Sequence, residues 1–153
     1  MNLSEIITPD LVIPNLVAHD KEAVLAELAA PIFGAWPHLE KDRVIGILMD
    51  REKLGSTGIG EGIAIPHGKL PDIDRLLISF GRSVAGVDYD SMDGQPAHLF
   101  FLLLAPESST GIHLKALAKL AKLLKNASFR AALLKAADAP EIVRLITAQE
   151  AVV

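Results

Sequence analysis

The chain has 153 residues, half of them apolar and 22% charged, with a net charge of −4 and a mean hydropathy of +0.35. That is enough apolar material for a core, which excludes a largely disordered chain, and the acidic balance gives no generic case for nucleic acid or an anionic membrane surface. Cysteine is absent, which excludes disulfides, thiol nucleophiles, iron–sulfur clusters and cysteine-based zinc sites.

The length predicts a single domain over residues 1–153, on a prior of one domain per roughly 100–200 residues. The opening MNLSEIITPD has no cationic stretch followed by an apolar one, so it does not read as a secretory signal. The longest apolar run, Leu99–Ala105, has seven residues, against the ~20 that span a bilayer as a helix. A cytoplasmic protein with no membrane insertion and no nucleic-acid partner is expected.

Two helices are predicted first. Residues 20–32 begin at Asp20, a plausible N-cap, and place Val24, Leu25, Leu28 and Ile32 on one face. Gly34 and Pro37 break the pattern. Residues 39–54 then carry Val44, Ile47, Leu48 and Leu54 in helical phase, with Gly55 placed to end the helix. In that phase Arg51 falls on the apolar face, while Asp50, Glu52 and Lys53 point elsewhere. An inward arginine needs an anion or carboxylate, unless its head reaches back to solvent.

The next eight residues, GSTGIGEG, contain four glycines and are predicted to form a loop without regular structure. Ile63–Pro66 reads as a short extended piece, because the residue before a proline is pushed out of the helical region. Leu76–Phe80 and Leu99–Leu104 are continuous apolar runs, as expected of strands covered on both faces, and Asp88–Pro96 is a turn-rich connector. Helices follow over 110–125, 127–137 and 140–148. In the first of these, Leu114, Leu117, Ala118, Ala121 and Leu124 form an apolar stripe. Lys115, Lys119, Lys122 and Lys125 form a second stripe, either a solvated face or a dock for an acidic partner. Helices at both ends with strands between them predict an α/β fold, a small mixed β-sheet sandwiched between helices.

Several familiar motifs fail on spacing. Gly58, Gly60 and Gly62 read G-x-G-x-G rather than G-x-G-x-x-G, and a helix precedes them where a dinucleotide site needs a strand. Residues 62–70 miss the phosphate-binding loop by one residue, and Leu70 replaces the hydroxyl that would hold magnesium. Residues 88–99 lack the glutamate of a calcium loop. The five histidines, His19, His38, His67, His98 and His113, include no i, i+4 pair, so no metal site is expected.

What remains is a set of polar residues suited to a phosphoryl group. His67, between Pro66 and Gly68, is held out at the end of an extended segment, as a catalytic or a turn histidine would be. Thr110 is a candidate N-cap, which puts His113 at the third helical position, where unpaired N–H groups and the dipole favour an anion. With inward Arg51 and the hydroxyls of Ser56 and Thr57, these residues suit phosphoryl chemistry. No magnesium motif accompanies them, which favours transfer between histidines over nucleotide hydrolysis.

The stretch Arg51–Lys69, REKLGSTGIGEGIAIPHGK, resembles the active-site signature of the type-2 IIA domains of the bacterial phosphotransferase system, the fructose/mannitol/nitrogen-regulatory group. Asp93-Gly94-Gln95-Pro96 before an apolar strand, and His113-Leu114 at a helix start, extend the likeness over nearly the whole chain. The run GSTGIGEGIAIPHGK is most similar to the nitrogen-regulatory proteins; Gly111-Ile112 and His98 depart from the family pattern. The resemblance implies that His67 is phosphorylated on Nε2, that His113 hydrogen-bonds the phosphoryl and that Arg51 stabilises its charge. The glycine-rich loop, with Ser56, Thr57, Gly58 and Gly68, would complete an anion cradle, with no cofactor and no metal. It implies a phosphohistidine carrier protein as donor and regulatory targets such as kinases or potassium transport proteins. The alternative is a sugar-transport subunit that passes its phosphoryl to a IIB domain.

Overall fold

The computed structural model describes residues 2–153. After two 3₁₀ turns, Leu3–Glu5 and Pro9–Leu11, the elements are β1 (Val12–Ile13), α1 (Lys21–Ala35), α2 (Lys41–Lys53), β2 (Gly58–Gly60), β3 (Ile63–Ala64), β4 (His67–Leu70), β5 (Leu77–Val87), β6 (Ala97–Pro106), α3 (Thr110–Leu124), α4 (Ala127–Lys135) and α5 (Ala139–Ala151). The expected α/β architecture is observed: six strands form one mixed sheet in the order β1-β5-β6-β3-β2, with β4 also paired to β6.

The sheet is built on β6. Its residues alternate between two cores, as the period-2 geometry of a strand requires. Leu99, Phe101, Leu103 and Ala105 face the layer of α3, α4 and α5. Phe100, Leu102 and Leu104 face α1 and α2, meeting Leu25, Leu28 and Leu48. Burial on both sides is why the run is apolar without interruption. On one edge β6 pairs antiparallel with β5, Phe80 opposite Phe101. On the other it pairs parallel first with β3 (Ile63 opposite Leu99) and then with β4 (His67 opposite Leu103). The register is the same for both, so β3 and β4 are one strand interrupted at Ile65–Pro66. The interruption is bridged by the Leu103 N–H, which donates to the Pro66 carbonyl at 2.9 Å.

Four expectations are corrected. The glycine-rich segment contains β2, paired antiparallel with β3 around Gly58 and Gly60. β5 runs on to Val87 instead of stopping at Phe80, because Arg82 is accommodated inside: it is 5% exposed, with Nε donating to Pro14 O at 2.9 Å and a terminal nitrogen donating to Leu133 O at 3.0 Å and to Ala136 O. The guanidinium thus satisfies carbonyls at the end of α4. α3 is capped at Ser109, so Thr110 is its first residue and His113 its fourth. Its buried face is His113, Ala116, Leu120, Leu123 and Leu124, rotated from the expected stripe, and Leu114 is 60% exposed.

Candidate functional site

Three elements meet at His67. It opens β4, directly after Pro66, with its ring half-buried. Its Nδ1 lies 2.8 Å from the Ile65 carbonyl. A carbonyl can only accept, so Nδ1 carries the proton and Nε2 presents a lone pair. Arg51, in the last turn of α2, donates through Nε to that Nε2 at 3.3 Å and through a terminal nitrogen to the Gly55 carbonyl at 2.8 Å. The two partners therefore agree on one tautomer.

α2 comes close enough because residue 68 is glycine. A Cβ there would lie 2.8 Å from Ile47 Cγ2, well inside van der Waals contact. Gly68 thus sets the spacing between the helix bearing Arg51 and the strand bearing His67. His113 comes from α3 on the other side of the site. Its ring centroid is 5.2 Å from that of His67, with the planes tilted by 60°. The residue is 6% exposed, and its buried Nδ1 finds no hydrogen-bond partner among the described residues. Lys69 Nζ, two residues along β4, donates to Thr110 Oγ1 at 3.3 Å and ties the strand to the start of α3.

Burial holds both imidazoles below the ordinary histidine value. For His67 desolvation is the largest cause and Arg51 adds to it, while the Ile65 carbonyl and Glu52 act in the opposite sense. For His113 desolvation leads, followed by the charges of His67 and Lys69. Both rings are therefore neutral at neutral pH, and a neutral ring is what a nucleophilic nitrogen requires.

His67, Arg51, His113 and Gly68 are brought together as the motif suggested. Ser56, Thr57 and Gly58 are not available as a cradle. Ser56 Oγ donates to the Tyr89 carbonyl at 3.1 Å and accepts the Gly58 N–H at 3.0 Å. Thr57 is 3% exposed; its N–H donates to Glu52 Oε1 at 3.1 Å and its hydroxyl to Glu52 Oε2. A Cβ on Gly58 would run into Ser91, 2.9 Å from its Cα. Hydroxyls and N–H groups that are spent inside the protein cannot also bind an anion.

The sequence reading missed Glu52, Lys21 and Tyr89. Glu52 is 7% exposed and paired with Lys21 Nζ at 3.3 Å. Tyr89 is buried, its hydroxyl lies 3.2 Å from Thr57 Oγ1, and burial pushes its pKa far up. A signal for Glu52 existed: Val44, Leu48 and Glu52 are spaced i, i+4, i+8 and are the buried residues of α2. Arg51 lies on the edge of that face, half-exposed, rather than inside it.

Residues 5–149 match the family model described as "Phosphoenolpyruvate-dependent sugar phosphotransferase system, EIIA 2". The chain is 40% identical over 146 residues to a "Nitrogen regulatory protein" of Bradyrhizobium diazoefficiens, covering 95% of each. It is 39% identical over 146 residues to the "PTS system fructose-specific EIIABC component" of Bacillus subtilis, covering 95% of this chain and 23% of that one. Among solved structures, the nitrogen regulatory protein IIA-Ntr of Neisseria meningitidis superposes with a TM-score of 0.88 at 34% identity, over 95% of this chain and 99% of that one. The mannitol IIA protein of Escherichia coli shares the fold, with a TM-score of 0.76 at 22% identity over 91% of this chain and 97% of that one.

Proposed function

The chain belongs to the EIIA type 2 family of the phosphoenolpyruvate-dependent sugar phosphotransferase system, and we propose that it is a phosphocarrier of the nitrogen-regulatory kind whose His67 takes the phosphoryl group on Nε2. The observation that carries this reading is the fixed tautomer of His67, with its proton on Nδ1 against a backbone carbonyl and Nε2 beside a guanidinium.

The donor is a phosphohistidine carrier protein. Its N–P bond breaks as His67 Nε2 bonds to phosphorus in line, through a loose transition state that asks mainly for positioning and charge stabilisation. Attack places positive charge on the His67 ring, and the Nδ1–H to Ile65 bond bears it. Arg51 occupies the Nε2 lone pair in the unphosphorylated protein, so its fork moves off the nitrogen and onto the phosphoryl oxygens as the bond forms. His113, neutral and within ring contact, supplies a further hydrogen bond. The whole chain acts as one domain in the cytoplasm, alongside its carrier, and needs no cofactor.

The nitrogen-regulatory reading is favoured by two relatives of that name, 40% and 34% identical, that the chain matches over 95% and 99% of their length. Its output is a contact with a regulatory target, a kinase or potassium transport protein, that is made or broken by the roughly −2 charge of the phosphoryl group. The near-equal identity to the fructose-specific relative supports a second reading, delivery of the phosphoryl to a sugar IIB domain. Incubation with phosphorylated carrier should give one acid-labile phosphate per chain in the wild type and none in His67→Ala. Labelling of that variant would remove His67 as acceptor. Rapid onward transfer to a IIB domain would favour the sugar reading.

A further inference from the structure

Both ring nitrogens of His67 are held by groups anchored in residues 51–57. On one side, the His67 Nδ1–H donates to the Ile65 carbonyl at 2.8 Å, the Ile65 N–H donates to the Thr57 carbonyl at 3.0 Å, and Thr57 is itself held by two donations to Glu52. On the other, Nε2 accepts from Arg51, whose second donation goes to the Gly55 carbonyl at 2.8 Å. The Gly55 N–H returns to the Glu52 carbonyl at 3.1 Å. Both arms thus return to Glu52, the first to its carboxylate and the second to its backbone carbonyl. Its carboxylate is 2% exposed and paired with Lys21 at 3.3 Å, which offsets the cost of burying the charge.

We propose that Glu52 is a positioning residue for phosphoryl transfer: by clamping Thr57 its carboxylate fixes the Ile65 carbonyl that keeps the His67 proton on Nδ1. The carboxylate touches neither His67 nor the phosphoryl group. It acts through Thr57 and the Ile65 carbonyl, in a segment where the glycines leave the backbone little stiffness of its own. The inference rests on the reading of His67 as acceptor, because a fixed tautomer matters only if Nε2 is the nucleophile.

The test reads the ring ¹⁵N resonances of His67, which report where the proton sits, beside the initial rate of phosphorylation by carrier. Wild type is expected to show the Nδ1–H tautomer alone. Glu52→Ala should mix the tautomers and slow transfer by about 10-fold or more, as misplacement of a reacting group does. Glu52→Gln still accepts the Thr57 N–H and should hold the tautomer and keep the rate within about 3-fold of wild type, a difference of under 1 kcal/mol. If Glu52→Ala keeps the single tautomer and the rate of its folded fraction, the proposal fails. It also fails if Glu52→Gln is as slow as Glu52→Ala with the tautomer intact, because charge and not position would then be the cause. Should Glu52→Ala not fold, Thr57→Val removes one of the two donations; an unchanged tautomer and rate there is equally fatal. The resonances need no carrier. A wild type that takes up no phosphate therefore sinks the acceptor reading, while the tautomer result still tests the clamp.

Discussion

Gly68→Ala is the most direct test of how the site is assembled. The new Cβ would stand 2.8 Å from Ile47 Cγ2, about 1 Å inside an ordinary carbon–carbon contact. The φ of Gly68 is not positive, so alanine is permitted by the backbone, and the whole effect comes from the collision of α2 with β4. Overpacking of this kind costs about 1–3 kcal/mol, or about 2–12 °C in melting temperature for a chain of this size. The larger effect is functional. A shift of α2 by the missing ångström carries Arg51 away from His67 Nε2, and a displacement on that scale is worth up to about 10²-fold in transfer rate. Phosphorylation by carrier is measured at saturating donor, beside a thermal melt. Ile47→Ala in the same chain removes the colliding methyl and should restore the rate while leaving the melting temperature low. A Gly68→Ala protein that transfers at the wild-type rate, or a slow one that Ile47→Ala does not rescue, would refute the spacing argument.

Arg51→Ala is expected to slow transfer by about 10²-fold, the usual loss when one charge-stabilising donor is removed. Because the side chain is half-exposed, stability should change by no more than about 1 kcal/mol, which a melt checks directly. Burial holds His67 and His113 below their ordinary value near 6.5, so below that pH the unfolded chain binds more protons than the folded one. Stability should therefore fall as the solution is acidified from 6.5 toward the folded values and be flat above 6.5 as far as these two groups are concerned. Urea melts at about pH 5.5 and pH 7.5 should show a smaller difference in a His67→Gln/His113→Gln double variant than in wild type. Arg82→Met should cost on the order of 3 kcal/mol, because the Leu133 and Ala136 carbonyls lose a charged donor in a dry interior; chemical denaturation measures it.

Much of the architecture was legible in the residues because the dominant signals were local. Asp20 caps α1 by accepting the Ala23 N–H, as its position before the apolar pattern suggested, and the apolar run at Leu99–Leu104 is the two-sided strand its continuity suggested. The site histidines and Arg51 stood out by their local settings and took their roles from the resemblance, but their approach depends on Gly68 and on three elements distant in sequence, which no local signal gives. What was not legible depends on tertiary partners. The i, i+4, i+8 spacing puts Glu52 in line with Val44 and Leu48, but that a carboxylate can stay there turns on Lys21 and Thr57, which come from outside the helix. Gly58–Gly60 forms a strand only because β3 offers it an edge. Arg82 is buried only because the carbonyls ending α4 lie within its reach. α3 presents apolar residues on more than one side, and the sheet, not the helix, decides which of them is inside.

The continuity of register from β3 through β4 has a bearing on how the two proposed states of the protein, loaded and empty at His67, would differ. The backbone carrying His67 is bonded to β6, and β6 is bonded in turn to β5, so under the proposed loading of the imidazole the strand is expected to stay in place. On that proposal the message would be spelled in surface potential and in the angle of one guanidinium, rather than in a reshaped chain. Any protein that distinguishes the loaded from the empty form has to read charge at close range, and its discrimination should fade as added electrolyte shortens the reach of that charge.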